Sequence, residues 1–403
     1  MISLHDIEAA RETIRGIAVE TPCLPCQPFA LALGLDLVFK HETLQLTGSF
    51  KVRGALNKIR SLSPREAEAG VITASAGNHA QGVAFAARRE GIPALVVMPV
   101  TTPLVKIENT ERLGARVLLH GETFGESHEE AWRLCRERRL TFIHPFDDEL
   151  VIAGQGTIGL EILEQVPDVE AVVVPIGGGG LISGVAAAIK ESRPAVRVYG
   201  VQTEAAPAMA ESVRAGHRVE VPTRRSVAEG ISVKQPGTIT LECVRRWVDG
   251  IEVVSEDEIR AAIVDLIESG KVVAEGAAAA ALAALRGGRL PELRGRKVAA
   301  LLSGANIDVH LLSRIIDRSL VEHHRLVRFR THVSDRPGAL ADLLNGIAAA
   351  GGNVVAIEHD RVFKHAGFWE AEVVVTLETR NAQHVADLER SLAQRGYDIE
   401  PLD

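Results

Sequence analysis

The 403-residue sequence has no excess of positive charge: 45 Lys and Arg stand against 53 Asp and Glu, a formal charge of -8 at neutral pH. Such a balance offers no general basic field to a polynucleotide, so no nucleic-acid partner is expected. The stretches "REAEAG" and "RRWVDG" read as solvated helix faces. Long apolar runs are also missing. The N-terminus "MISLHDIEAARETIRG" has no signal-peptide core, and the most apolar stretch, "VVAEGAAAAALAAL", carries Glu275 and is too short to span a bilayer. No membrane partner is expected, and the localisation reads as cytoplasmic. Cysteine is scarce, with four in the chain. Cys23 and Cys26 form one C-x-x-C while Cys135 and Cys243 are distant singles, which argues against a disulfide scaffold and a four-cysteine zinc site. The pair beside Pro22 and Pro25 reads as two structural thiols, with a redox pair as the alternative. His323 and His324 are adjacent, poor geometry for two ligands on one ion, and no metal site is assigned. Ten Phe, three Trp and two Tyr against 36 Gly point to an α/β layout with many turns.

What the chain does have is rhythm. After an N-terminal helix and a strand in "LVFK", a helix is expected from about Val52 to Ile59. Short apolar runs then alternate with longer periodic ones: "GVITAS", "NHAQGVAFAARREG", "PALVVMP", "TPLVKIENTERLG", "ARVLLH", "TFGESHEEAWRLCRERR". The pattern resumes with "AVVVPI", the helix after "GGGGLISG", "VRVYGVQ", a helix around "APAMAESVRAG" and "KVAALLS". Strands separated by helices imply a mostly parallel sheet in two α/β lobes. Near "IDRSLVEHHRL", residues 316 to 326, the pattern becomes a connector. Beyond it the order is β-α-β-β-α-β, a small ferredoxin-like unit with no nucleophile and base pair of its own.

Three strand-to-helix junctions and one lysine carry the chemistry. In "VVVPIGGGGLISG" an apolar strand runs into Gly177, Gly178, Gly179 and Gly180 and then a helix. Missing side chains let successive N–H groups converge on a phosphate at a helix N-terminus. No Gly-Lys-Ser/Thr follows, which excludes a nucleoside-triphosphate loop, and a dinucleotide fingerprint lacks its acidic partner. The same glycines also make a plain flexible turn. In "TASAGNHAQGVAFAA" the N–H groups and Ser75 can grip a carboxylate, and Asn78 can bond an oxygenated ring; a capped helix start is the alternative. In "LLSGANIDV" a strand ends at Ser303, whose hydroxyl can face a ring nitrogen or act only as a cap. Lys51 alone is an ordinary surface charge. A phosphate, a carboxylate and an amine together suggest pyridoxal phosphate held as a Schiff base.

With "TGSFKVRGA", "SAGNHAQGVA", "PIGGGGLISG" and "LLSGANID" in that order, residues 5 to 320 resemble the fold-type II pyridoxal-phosphate enzymes, tryptophan synthase beta-like in fold, and among them the threonine ammonia-lyases. The resemblance implies a catalytic domain over 1–320, its smaller lobe at about 48–145 inserted in the larger. It implies that Lys51 binds the cofactor and moves the substrate α-proton, that Phe50 packs beside the ring and that Asn78 bonds its phenolic oxygen. Gly177, Gly178, Gly179, Gly180 and Leu181 would surround the phosphate, and Ser303 would face the pyridine nitrogen. Ser75, Ala76, Asn78 and His79 would form the carboxylate loop, Ala76 and His79 through backbone groups. Gly230 in "SVAEGISV" and Glu275 resemble further positions near substrate and cofactor, each with a simpler turn or surface reading. The implied reaction takes L-threonine to 2-oxobutanoate and ammonia, and L-serine to pyruvate.

Two departures narrow the reading. Serine racemases resemble this family but carry a serine at the position of Ala76, on the face opposite the lysine; a methyl group cannot move a proton, so efficient racemisation is not expected. Carboxylates that hold a divalent cation in racemase-like members are replaced by Gln202 and Ala208, with Glu204 out of register, so that cation is not expected. A monovalent cation on backbone oxygens stays open. Residues 327–403, with "DRPGALADLL", resemble an ACT regulatory domain, which implies an amino-acid effector, isoleucine or valine, near Asp335, Gly338 and Asn353, and pairing into a homodimer or homotetramer. A serine or 3-hydroxyaspartate dehydratase is the neighbouring enzymatic alternative, and a silent amino-acid sensor the alternative of a different class.

Overall fold

A computed structural model describes residues 2–361 and 367–402. Met1, residues 362–366 and Asp403 lie outside the described residues, the last six within the expected ACT range. The chain divides into two compact units, Met1–Ile307 and Asp308–Asp403. The division falls before the expected boundary at residue 320 because the helix Val309–Glu322 packs on the first strand of the C-terminal unit.

In the first unit, β1 (Cys23–Pro25) and β2 (Asp36–His41) open a larger sheet. The chain then leaves it for a smaller one, β3 (Val71–Ala74), β4 (Ala94–Met98), β5 (Arg116–Leu119) and β6 (Thr141–Phe142), before β7 (Ala171–Pro175), β8 (Arg197–Thr203), β9 (Gly250–Val254) and β10 (Lys297–Leu302) complete the first. The larger sheet has the order β1-β2-β10-β7-β8-β9, the smaller β5-β4-β3-β6. All pairs are parallel except β1 on β2, so helical crossovers lie between successive strands and the central ones are buried on both faces. β7 is buried at every position.

The helix Lys51–Arg60 starts the smaller lobe and backs onto Glu149–Gln165 of the larger. Their backbones meet at two glycines: a Cβ on Gly154 would stand 2.6 Å from Gly54 Cα, closer than any side chain permits. The same junction buries four charges. Arg53 bonds both oxygens of Glu42 (2.8 and 2.9 Å) and both oxygens of Glu161, and Lys40 Nζ meets Glu161 at 2.6 Å. Lys40 and Glu42 are fully buried and Arg53 is 1% exposed, so this neutral quartet has no water to fall back on.

The C-terminal unit has β11 (Leu326–Ser334), β12 (Asn353–Asp360), β13 (Glu370–Glu378) and β14 (Glu400–Leu402) in the order β12-β13-β11-β14, all antiparallel. The helices Ala339–Ala349 and Ala382–Gln394 bury Leu343, Ile347, Leu388 and Leu392 with Val373, Val375 and Leu377. This is the β-α-β-β-α-β order expected from the sequence.

Candidate functional site

The segment before Lys51 is laced to the end of β10. Phe50 N–H donates to the Ser303 carbonyl (3.1 Å), Ala305 N–H to the Gly48 carbonyl (2.8 Å) and Asn306 Nδ2 to the Thr47 carbonyl (2.8 Å). Two motifs some 250 residues apart in the chain thus become one surface. Lys51 follows as the first residue of its helix. Its Nζ donates to the Pro145 carbonyl at 2.8 Å and lies 5.2 Å from the centre of the Phe50 ring. Burial of the amine pushes its pKa down to about 8, against a smaller upward pull from the Glu275 carboxylate. Its neutral, basic form is therefore far more accessible near neutral pH than that of an ordinary lysine.

The four glycines leave β7 and enter the helix Gly180–Ser192, which no side chain caps. Gly179 sits at φ +100°, where an L side chain is strained. A Cβ on Gly178 would run into the Phe146 ring, and one on Gly180 would stand 2.8 Å from the Phe146 carbonyl. The N–H groups of residues 180–182 precede the first intrahelical bond, from Ser183 to Gly179. Thr240 Oγ1 holds the Gly178 carbonyl at 2.7 Å, and Asp147 caps the helix Thr238–Trp247 by accepting from Thr238, Ile239 and Thr240. The result is a fixed turn of backbone donors.

Asn78 opens the helix Asn78–Arg89 after Gly77, and a Cβ on Gly77 would meet open space. The Asn78 amide is held at both ends: Asn306 Nδ2 donates to its Oδ1 (2.7 Å), and its Nδ2 donates to both oxygens of Glu275 (2.8 and 3.0 Å). Burial raises the Glu275 pKa, opposed by the bond from Asn78 and the charges of Lys106 and Lys51. Gly230 belongs here too, since a Cβ on it would lie 3.6 Å from Glu275 Oε1, and its carbonyl approaches Gly177. Ser75 Oγ accepts from Gly77 N–H at 3.3 Å, and Ala76 packs against the smaller lobe's core.

Not every expected residue points into the cleft. The His79 ring is buried in the smaller lobe, its Nε2–H donating to the Ile143 carbonyl, and burial with repulsion from Lys51 drives its pKa to about 3. Only its backbone is available to a ligand. Gln202 is fully buried, its amide donating to the carbonyls of Ile176 (3.4 Å) and Ala206 (3.5 Å) and accepting from Ala210 N–H (2.8 Å). No cluster of metal-ligating side chains occurs among the described residues. Burial raises the thiol of Cys23 to about 11, a poor nucleophile. In the C-terminal unit Gly338 begins a helix at φ +92° near Asp335, which pairs with Arg361. Asn353 is not beside them. It pairs with Glu378 while Ser334 pairs with Glu370, eight residues along β13 or about 27 Å away. The intervening helix Ala339–Ala349 carries the chain to the sheet's other end, so the three residues do not form one patch in a single copy.

The segment His144–Asp147 was not anticipated. Its Pro145 carbonyl receives Lys51, Phe146 lies against Gly178, Asp147 caps a helix, and His144 Nδ1 accepts from Phe146 and Asp147 N–H. Burial lowers the His144 pKa to about 4, so it is neutral near pH 7. It follows β6, a two-residue strand. A fourth strand-to-helix junction was the available signal, but without glycine it carries no marker.

This donor set fits pyridoxal phosphate. The glycine turn and bare helix start suit a phosphate, Lys51 is an amine poised to lose its proton, Asn78 supplies a fixed amide, and Ser303 is buried at the strand end beside Phe50.

Similarity to known proteins agrees with this geometry. A family model described as pyridoxal-phosphate dependent enzyme matches residues 14–304, and one described as ACT domain matches residues 327–395. L-threonine ammonia-lyase of Thermotoga maritima is 48% identical over 399 residues, covering 99% of each chain. Among solved structures, the processed threonine deaminase isoform 2 of Solanum lycopersicum is 40% identical with a TM-score of 0.74, over 78% of this chain and 91% of that one. Maize serine racemase is 34% identical with a TM-score of 0.75, over 80% and 99%.

Proposed function

The chain belongs to the threonine ammonia-lyase family of pyridoxal-phosphate dependent enzymes with a C-terminal ACT domain, and from that premise we propose that it converts L-threonine to 2-oxobutanoate and ammonia, and L-serine to pyruvate. The observation that carries the proposal is Lys51, a buried amine whose pKa is lowered to about 8 and which donates to the Pro145 carbonyl, next to the Phe146 that lies against the glycine turn. When bound, the cofactor supplies an aldehyde that takes an amine and a ring that accepts the electrons of a broken Cα–H bond.

The chain's residues supply the rest. Gly177, Gly178, Gly179, Gly180 and Leu181 would hold the phosphate through backbone N–H groups, Asn78 would bond the phenolic oxygen and the Ser303 hydroxyl would face the ring nitrogen. Ser75 and the N–H groups from Ala76 to His79 orient the substrate carboxylate at a helix N-terminus. Neutral Lys51 takes the α-proton. The β-hydroxyl leaves as water with the proton Lys51 has taken, which gives an enamine that after release tautomerises and hydrolyses to the keto acid and ammonia. Ala76 presents a methyl group on the opposite face, so a proton is moved on one face only and elimination prevails over racemisation.

The C-terminal unit binds a branched-chain amino acid around Asp335 and Gly338, and its pairing couples subunits of a homodimer or homotetramer. The ACT match and the open, left-handed start of the helix at Gly338 support this reading.

The test is release of 2-oxobutanoate and ammonia from L-threonine by the cofactor-loaded protein, with borohydride reduction and peptide mapping to place the cofactor. Equal amounts of both products and a label at Lys51 are expected. Absence of keto acid, or a label elsewhere, overturns the proposal. D-serine formation from L-serine at the rate of pyruvate formation would overturn the preference for elimination.

A further inference from the structure

The rim of the cleft carries an ion pair that the reaction above does not use. Glu229 lies in the turn Glu229–Ile231 of the larger lobe, one residue before Gly230, whose Cα faces Glu275. From the smaller lobe the helix Leu104–Arg112 brings Lys106 across, and Lys106 Nζ meets Glu229 Oε2 at 2.9 Å. The Lys106 side chain is 27% exposed and that of Glu229 65%, so the pair lies at the surface and bridges the two lobes beside Gly230. Both act on Glu275 in opposite senses, Lys106 lowering its pKa and Glu229 raising it, which puts them within electrostatic reach of the carboxylate that grips Asn78.

We infer that Glu229 sets the charge selectivity of the site: by occupying Lys106 it withholds the cation an acidic β-hydroxy amino acid needs, so threonine and serine are taken and 3-hydroxyaspartate is rejected. The inference rests on the β-elimination proposed above and names its substrate class. A neutral β-substituent asks nothing of the rim. A second carboxylate moved from water into the cleft is favoured by a cation partner. The charged groups coupled around Glu275 are Glu275 and Glu229, both repelling a carboxylate when ionised, and Lys51 and Lys106, of which Lys51 is assigned to the α-proton and Lys106 is paired with Glu229. Removing the charge of Glu229 deletes a repulsion and frees an attraction at once.

The experiment uses the cofactor-loaded full chain and compares kcat/KM for L-threo-3-hydroxyaspartate and L-threonine in wild type, Glu229→Gln and the double variant Glu229→Gln/Lys106→Gln. The acidic-to-neutral ratio should rise about fivefold in Glu229→Gln, the strength of one partly exposed pair, and return towards wild type in the double variant. Calorimetric titration with L-aspartate and L-2-aminobutyrate, a charged and an uncharged probe without a β-hydroxyl, should show the same shift in the ratio of Kd values. An unchanged ratio in Glu229→Gln, or a rise that persists without Lys106, overturns the inference while threonine turnover stands. Failure of the wild type to release 2-oxobutanoate overturns the proposed function, and this inference falls with it.

Discussion

Asn78 Nδ2 donates to both carboxylate oxygens of Glu275, at 2.8 and 3.0 Å, while Asn306 holds the other end of the same amide at 2.7 Å. The amide proposed to bond the cofactor's oxygen is therefore already oriented by Glu275 and Asn306. Glu275→Gln leaves one acceptor for two roles and removes a charge. Turnover of threonine should fall about ten- to a hundredfold, the worth of a hydrogen bond to a charged group, while Glu275→Ala should fall further. Steady-state kinetics on both variants check this.

Lys51 should react as a base well below the range of other lysines. Competitive labelling of the cofactor-free protein with acetic anhydride, read by mass spectrometry, should give a midpoint for Lys51 near pH 8. Because the Glu275 charge pulls that value up, the midpoint should move lower still in Glu275→Gln. Lys51→Ala should lose threonine turnover by about 10²–10⁴-fold, the span of a missing general base, and the cofactor's absorption band with it.

Gly178→Ala puts a methyl group into the Phe146 ring. Overpacking of this kind costs about 1–3 kcal/mol, and the variant should melt lower and bind pyridoxal phosphate more weakly. Pairing it with Phe146→Ala makes room, so the double variant should recover cofactor affinity relative to Gly178→Ala. Thermal melting and spectrophotometric titration measure the two effects separately.

Arg53→Met should cost about 3–5 kcal/mol at pH 7, because Glu42 and Glu161 are left buried without their shared cation. Burial pushes the Glu42 carboxyl up, but the charge and hydrogen bonds of Arg53, with Thr21 and Lys40, outweigh it and hold the pKa below the usual range. The sign follows: a depressed carboxyl stabilises the fold above its unfolded pKa and loses that contribution as pH falls through the folded one. Denaturant melts should therefore show the gap between wild type and Arg53→Met narrowing in the acid range below about pH 4.

Much of this was legible in the sequence where a local rule had one answer. Gly179 needs a positive φ and Gly178 needs the space, so the glycine run announced its turn. Ser303 directly follows a strand, and Asn78 opens the helix after one. Glu275 was harder to weigh, because it also reads as a simple turn or surface residue, and only tertiary packing brings Asn78 to it. The helix Glu149–Gln165 was missed for a different reason. It is buried from Val151 through Leu163, so it lacks the polar face that periodicity detects. The resemblance extends the catalytic domain to residue 320, whereas the helix Val309–Glu322 packs with the C-terminal unit. The ion quartet is likewise invisible along the chain, since Arg53 and Glu161 are 108 residues apart.

The pairing of β2 with β10 has a consequence for synthesis. Lys297 and Asp36, partners in that ladder, are 261 residues apart in sequence. A chain emerging from the ribosome must hold β2 without its inner neighbour until β10 has been made, whereas the strands of the smaller sheet lie between residues 71 and 142 and can meet far sooner. Ser303 and Asn306, just after β10, are then among the last parts of the cleft to arrive. A cofactor that needs the Ser303 end of β10 would then be captured late, once the larger sheet has closed.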